Sequence, residues 1–217
     1  WIPALTQMAA AGKIDRQRLL RESLLASNKN FNKNLSGFYM DLFCALFPTT
    51  AELITLQAEL ISVLNSAHSK VVNEAIQFLK TIAGEQTLDT ASILAAAPVF
   101  LNSKTKTTVS GGLMLLEQIA KKHAAVQKAI ATVCTQALVH ADEGLQTRAA
   151  KLISRYADTA DTELHESLQT YQEGLLRNTR DLLQPFLNAA PIAVDEHTTT
   201  TGDTLITREK TPVEMIT

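Results

Sequence analysis

The residues of this chain that could do chemistry are five histidines, two cysteines and one strip of cations. Arg148, Lys151 and Arg155 stand at spacings of three and four, which puts their charged ends along one face of a helix. Such a strip either is a solvated helix face or receives spaced negative charge, an acidic peptide or a phosphate backbone. The histidines carry less. His68 and His140 fall in turns, His123 follows Lys121 and Lys122, His165 sits on an exposed helical face, and His197 lies in the tail. None is paired with a second His, Cys or carboxylate at the spacing of a zinc site. Glu163 and His165 are two apart and point to different faces. No glycine-rich loop leads into a helix with Lys-Ser or Lys-Thr, so a phosphate cradle is unsupported. Cys44 and Cys134 lie far apart inside apolar stripes and read as small buried hydrophobes in a reducing compartment. No catalytic residue, metal or cofactor is expected.

The elements that must position the strip announce themselves by recurrence. Asn73–Ala83 (NEAIQFLKTIA) returns 37 residues later as Ser110–Ala120 and again as Thr147–Ala157. Stacked, the three give a small column (Ala75, Gly112, Ala149) and large apolar columns at Phe78, Leu115, Leu152; Leu79, Leu116, Ile153; and Ile82, Ile119, Tyr156. Small and large apolar residues at spacings of 3, 1 and 3 form the buried stripe of an amphipathic helix. A stripe recurring at a fixed interval of tens of residues marks a stacked helical repeat. Leu35–Phe47 fits the columns divergently at a shift of 36, with Tyr39 in the small column.

Between these helices the spacing predicts partners. Ile2–Ala11 stops at Gly12, and Asp15 caps a second helix whose buried side is Leu19, Leu20, Ser23 and Leu24. Ala51–Leu64, capped by Thr50, is one outer helix; Thr90–Leu101 is the next, kinked or broken by Pro98; Ala125–Val139 is a third. Residues 161–187 keep helical spacing as one closing helix or as a pair. The expected domain therefore spans 1–187, and 188–217 has little to bury and reads as a disordered or extended linker. Because the chain opens at Trp1 on an uncapped apolar helix, it reads as part of a longer array.

Composition bounds the function. Hydrophobic residues make up 46% and aromatics 5%, and Gly and Pro number 8 and 6, which suits helices. Lys and Arg total 20 against 22 Asp and Glu, a net charge of −2, which argues against a nucleic-acid footprint. No apolar run approaches the roughly 18–20 residues of a membrane span, so no membrane partner and a cytoplasmic location are expected.

Leu60–Ala83 resembles a HEAT repeat, in which an outer helix ends in a polar turn and an inner helix opens on a β-branched residue (Val72, Val109, with Gln146 in the third copy). The inner helix finishes as "L..IA", and Arg148 is close to the arginine of that family. The period is shorter than the family's, and the turn aspartate is missing from most copies. The blend also resembles the HEAT-like region of large bacterial proteins known only as domains of unknown function. The resemblance implies an all-α, right-handed α-solenoid of about four to five HEAT-like or armadillo-like hairpins. It also implies a concave surface lined by inner helices, whose off-stripe columns are Glu74, Gly111, Arg148; Gln77, Met114, Lys151; and Thr81, Gln118, Arg155.

Gly112 reads as a close approach between helices, and Gly111 points more outward, as a groove floor would require. The turn lysines Lys29, Lys33, Lys70, Lys104 and Lys106 form a modest basic edge, interrupted by Asp142 and Glu143. The expected function is a non-catalytic scaffold that binds another protein, or other domains of its own chain, through these columns. One alternative is a HEAT-like DNA glycosylase or nucleic-acid module, which would need a basic groove with aromatic and acidic residues. The other is a passive spacer.

Overall fold

The computed structural model describes residues 1–29 and 31–188; the C-terminal stretch expected as a linker lies, from residue 189 on, outside the described residues. Among the described residues every regular element is a helix. The chain starts with α1 (Ile2–Ala10), closed by Gly12 at φ 67°, and α2 (Arg16–Ser27), whose first turn Asp15 caps by accepting from the Arg18 amide at 3.1 Å. α3 (Lys33–Ala45) covers the divergent copy of the stripe. It ends where Phe47 turns left-handed at φ 49° ahead of Pro48.

The three copies of the stripe are helices: α6 (Ser69–Thr81), α8 (Lys106–Lys122) and α10 (Glu143–Tyr156). Ala75, Gly112 and Ala149 are buried with Leu79, Leu115, Leu116, Leu152 and Ile153, and Phe78 packs edge-on against Phe43 at 5.1 Å. The small column has a steric reason at Gly112. A Cβ there would stand 2.4 Å from the ring of Phe100, itself fully buried.

The intervening helices are less regular than the spacing predicts. Ala51–Leu64 is two short helices, α4 (Thr50–Thr55) and α5 (Gln57–Val63), parted at Leu56. Thr55 bonds back to the Ala51 carbonyl at 2.9 Å, a side-chain competition that disturbs a helical ladder. The cap is Thr49, not Thr50: Thr49 and Glu52 close a reciprocal capping box. α7 (Thr90–Leu101) runs on through Pro98 instead of breaking there, and the Asn102 side chain donates to the Pro98 carbonyl at 2.9 Å. Ala125–Val139 contains only one α-helical stretch, α9 (Gln127–Cys134), between 3-10 turns at Ala124–Val126 and Thr135–Val139. The closing segment is a pair, α11 (Thr162–Tyr171) and α12 (Arg177–Leu187), separated by a 3-10 turn.

Packing follows chain order. α3, α6, α8, α10 and α12 form one series of touching neighbours, and α2, α5, α7, α9 and α11 form another. Each pair α2/α3, α5/α6, α7/α8, α9/α10 and α11/α12 joins the two series. One continuous apolar core runs between them from Ala9 to Phe186.

Polar side chains cross from one hairpin to the next at similar intervals. Arg16 pairs with Glu52, Arg21 with Glu59 and Lys106 with Asp142, 36, 38 and 36 residues apart. The ring Nε2–H groups of His68, His123 and His140 donate to the carbonyls of Phe31, Ala83 and Leu101 at 2.9, 3.0 and 2.6 Å. A carbonyl can only accept, so Nε2 carries the proton in each. His165 is half-buried rather than on an open face, with Nδ1 3.1 Å from the Phe186 carbonyl. Four histidines are thus ties between elements.

Candidate functional site

α10 begins at Asp142, whose side chain accepts from the Leu145 amide at 3.0 Å. Its apolar stripe, Leu145, Ala149, Leu152 and Ile153, is buried. That orientation turns Arg148, Lys151 and Arg155 into an open cleft of about 940 Å³ between α8, α10 and α12. Glu117 contributes from α8, Asn178 and Leu182 from α12. Ser154 ties the walls together by donating to the Leu182 carbonyl at 3.1 Å, and Asn178 donates to Glu143 at the N-terminal end of α10.

The charges in the cleft are incompletely matched. Glu117 accepts from Lys121 at 2.6 Å, and Arg155 stands 4.0 Å from the same oxygen. The hydrogen bond from Lys121, then the charges of Lys121, Arg148 and Arg155, hold the Glu117 carboxyl below its usual range. Arg148 and Lys151 have no ion pair and no side-chain hydrogen bond among the described residues. Arg148 is half-buried; Lys151 and Arg155 are exposed. This arrangement can bind an anion. It supplies no nucleophile–base pair.

The other six residues expected at the surface stand outside this cleft. On α6, Glu74 is half-buried with its carboxylate 3.9 Å from the Cys44 sulfur. Gln77 is exposed and accepts from Lys80 at 2.9 Å, and Thr81 donates to its own helix at Phe78. On α8, Gly111 is half-buried against α6: a Cβ there would meet Ile76 at 3.5 Å, so it faces a neighbour and not an open floor. Met114 is 37% exposed, and the Gln118 amide oxygen is buried without a partner among the described residues.

Two residues that carry much of this region are not marked by the apolar stripe. Glu117 belongs to a column with Lys80 and Ser154, whose chemistry changes in every copy, so periodicity cannot reveal it. Its signal was the Lys four residues on. Gln146, in the β-branched column, is buried. Its amide nitrogen lies 3.0, 2.9 and 3.0 Å from the carbonyls of Leu138, His140 and Gly174, and its oxygen accepts from the Leu176 amide at 2.9 Å. It fastens the last hairpin to α10. Two of the turn lysines are engaged: Lys70 pairs with Asp41 at 2.7 Å, and Lys106 with Asp142, the residue that also caps α10.

Burial pushes both thiols up to about 12, with Glu74 and Asp41 adding to the effect at Cys44, so neither is an activated nucleophile. Among the described residues no three His, Cys, Asp or Glu gather closely enough to hold a metal ion, and no helix is long and apolar enough to cross a membrane. No curated protein and no solved structure matches the chain. Residues 1–107, from α1 into the first turn of α8, match the model of a family described as a domain of unknown function (DUF6493).

Proposed function

We propose that this chain is a HEAT-like, right-handed α-solenoid with a period of about 37 residues, acting as a non-catalytic scaffold for another protein or for other domains of its own chain. The architecture is supported by the two series of neighbouring helices and by side-chain ties that recur at 36–38 residues. The observation that carries the function is the cleft of about 940 Å³ between α8, α10 and α12, where Arg148, Lys151 and Arg155 converge and only Arg155 stands within ion-pair distance of a carboxylate. A passive spacer gives no reason to leave two cations unpaired there. The cleft lies beyond the residues matched by the family model, so the proposal rests on this chain's own side chains.

The test is co-purification of the full chain from the cells that make it, alongside variants with alanine at Gln77, Met114, Lys151 and Arg155. A scaffold yields a protein in stoichiometric amount that is lost in some of these variants. Identical recovery in all of them, with unchanged helical circular dichroism, would leave the spacer.

A further inference from the structure

The scaffold reading says that something docks on the inner helices; the chemistry of the cleft says what. Arg148 and Arg155 are two turns apart on α10, so their Cα atoms are separated by about 10 Å, with Lys151 between. A peptide in the polyproline II conformation rises about 9 Å in three residues, one full turn, so side chains three apart share a face. Beside the cations, Leu182 is 36% exposed and lies on the same lining, an apolar foothold on the α12 wall. Thr147 and Asn178 add polar groups at one end.

We propose that the cleft between α8, α10 and α12 binds an acidic peptide segment of a partner, with carboxylates about three residues apart on Arg148, Lys151 and Arg155 and an apolar side chain between them on Leu182. This rests on the scaffold reading and deepens it. A nucleic-acid backbone fits the same cations less well, for two reasons on the lining itself. Glu117 and Glu143 line the cleft and would repel a continuous run of phosphates, and no aromatic side chain stands there to stack a base. A peptide can place its carboxylates on the cations and leave neutral residues opposite the two glutamates. The chain's net charge of −2 also provides no general attraction for a polyanion. Glu117 stands 4.0 Å from Arg155, so that one cation of the three is steadied before a ligand arrives.

The experiment uses the full chain and a fluorescein-labelled peptide with glutamates three apart around a leucine, read by anisotropy against a twin with glutamine for each glutamate. Charge-assisted hydrogen bonds are available only to the glutamate peptide, so it binds at least about tenfold tighter than its twin and weakens with salt. Arg148→Glu with Lys151→Glu abolishes that difference. Lys104→Glu, an exposed lysine in the turn before α8, leaves it unchanged. Circular dichroism of each variant separates lost binding from lost fold. Equal affinity for the twin, undiminished binding by the doubly reversed variant, or displacement of the peptide by an equimolar oligonucleotide overturns the proposal. If the peptide fails while alanine at Gln77 or Met114 still releases a partner, the acidic ligand is wrong and the scaffold reading survives.

Discussion

The clearest electrostatic consequence rests on Glu52. Its carboxylate accepts from Arg16 at 2.9 and 3.1 Å, from the Thr49 amide at 2.8 Å, and from the Gln17 side chain at 3.1 Å, with only 9% of the residue exposed. The hydrogen bond from Arg16 lowers its pKa most, and the group falls from 4.5 to about 2 in spite of burial. Arg16 also donates to the carbonyls of Leu46 and Phe47, the end of α3 where the backbone turns left-handed. A carboxyl depressed in the folded state stabilises it fully above its unfolded value and stops doing so as pH falls. The contribution of Glu52 is therefore complete above about pH 5 and disappears between there and pH 2, a loss on the order of 2 kcal/mol. Urea midpoints measured from pH 6 to pH 2 should show that decline, and Glu52→Gln should be less stable at pH 6 with a flatter profile. Equal slopes in the two proteins would place the acid sensitivity elsewhere. Asp15 as a cap and the buried Leu20 and Leu24 were legible in the sequence, because each follows from local spacing. The Arg16–Glu52 tie was not, since nothing local says which residues 36 apart will meet.

At the scale of the element, two adjacent glycines in α8 make opposite predictions. Replacing a mid-helix glycine by alanine gains about 1 kcal/mol of helix propensity where space allows. At Gly111 the new methyl would meet Ile76 at an ordinary 3.5 Å, so Gly111→Ala should stabilise by up to about 1 kcal/mol. At Gly112 it would stand 2.4 and 2.5 Å from two ring atoms of Phe100, which is 1% exposed and has nowhere to move. Overpacking of that kind costs about 1–3 kcal/mol, so Gly112→Ala should destabilise in spite of the propensity gain. Thermal unfolding of the two variants decides it. If both stabilise, α7 and α8 are not in the close contact that gives the small column its meaning. That column was readable from Ala75, Gly112 and Ala149 because a small residue recurs at the same point of each stripe, and all three are buried. The outer helices were not readable in the same way. The breaks at Leu56 and around α9 accompany threonines that bond back to their own helix, Thr55 to Ala51 and Thr132 to Lys128. Hydropathy is blind to that competition, and Pro98 showed the converse, a breaker that the helix accommodated near its end.

For the whole molecule the question is whether one continuous core unfolds as one unit. Among the described residues the widest-spanning hydrogen bond, from His123 to Ala83, covers 40 residues, so polar ties reach only the adjoining hairpin. A stack coupled through nearest neighbours transmits a local injury only that far. Gln146 is the place to make the injury. Gln146→Leu keeps the bulk but leaves the carbonyls of Leu138, His140 and Gly174 and the Leu176 amide without this partner, a cost of about 2–4 kcal/mol. Native-state hydrogen exchange should then show protection falling about a hundredfold across α10, α11 and α12. Amides in α2, α3 and α5, two hairpins or more away, should change by less than about threefold. A single globular core makes the contrary forecast: amides that exchange only by global unfolding lose protection together, wherever they lie. Uniform loss from α2 to α12 would show one cooperative unit, and the stacked reading would lose its main physical consequence. Loss confined to the last hairpins would establish that the cleft sits on the end of the stack most easily loosened, where a bound segment clamping α10 to α12 would raise protection in those helices first.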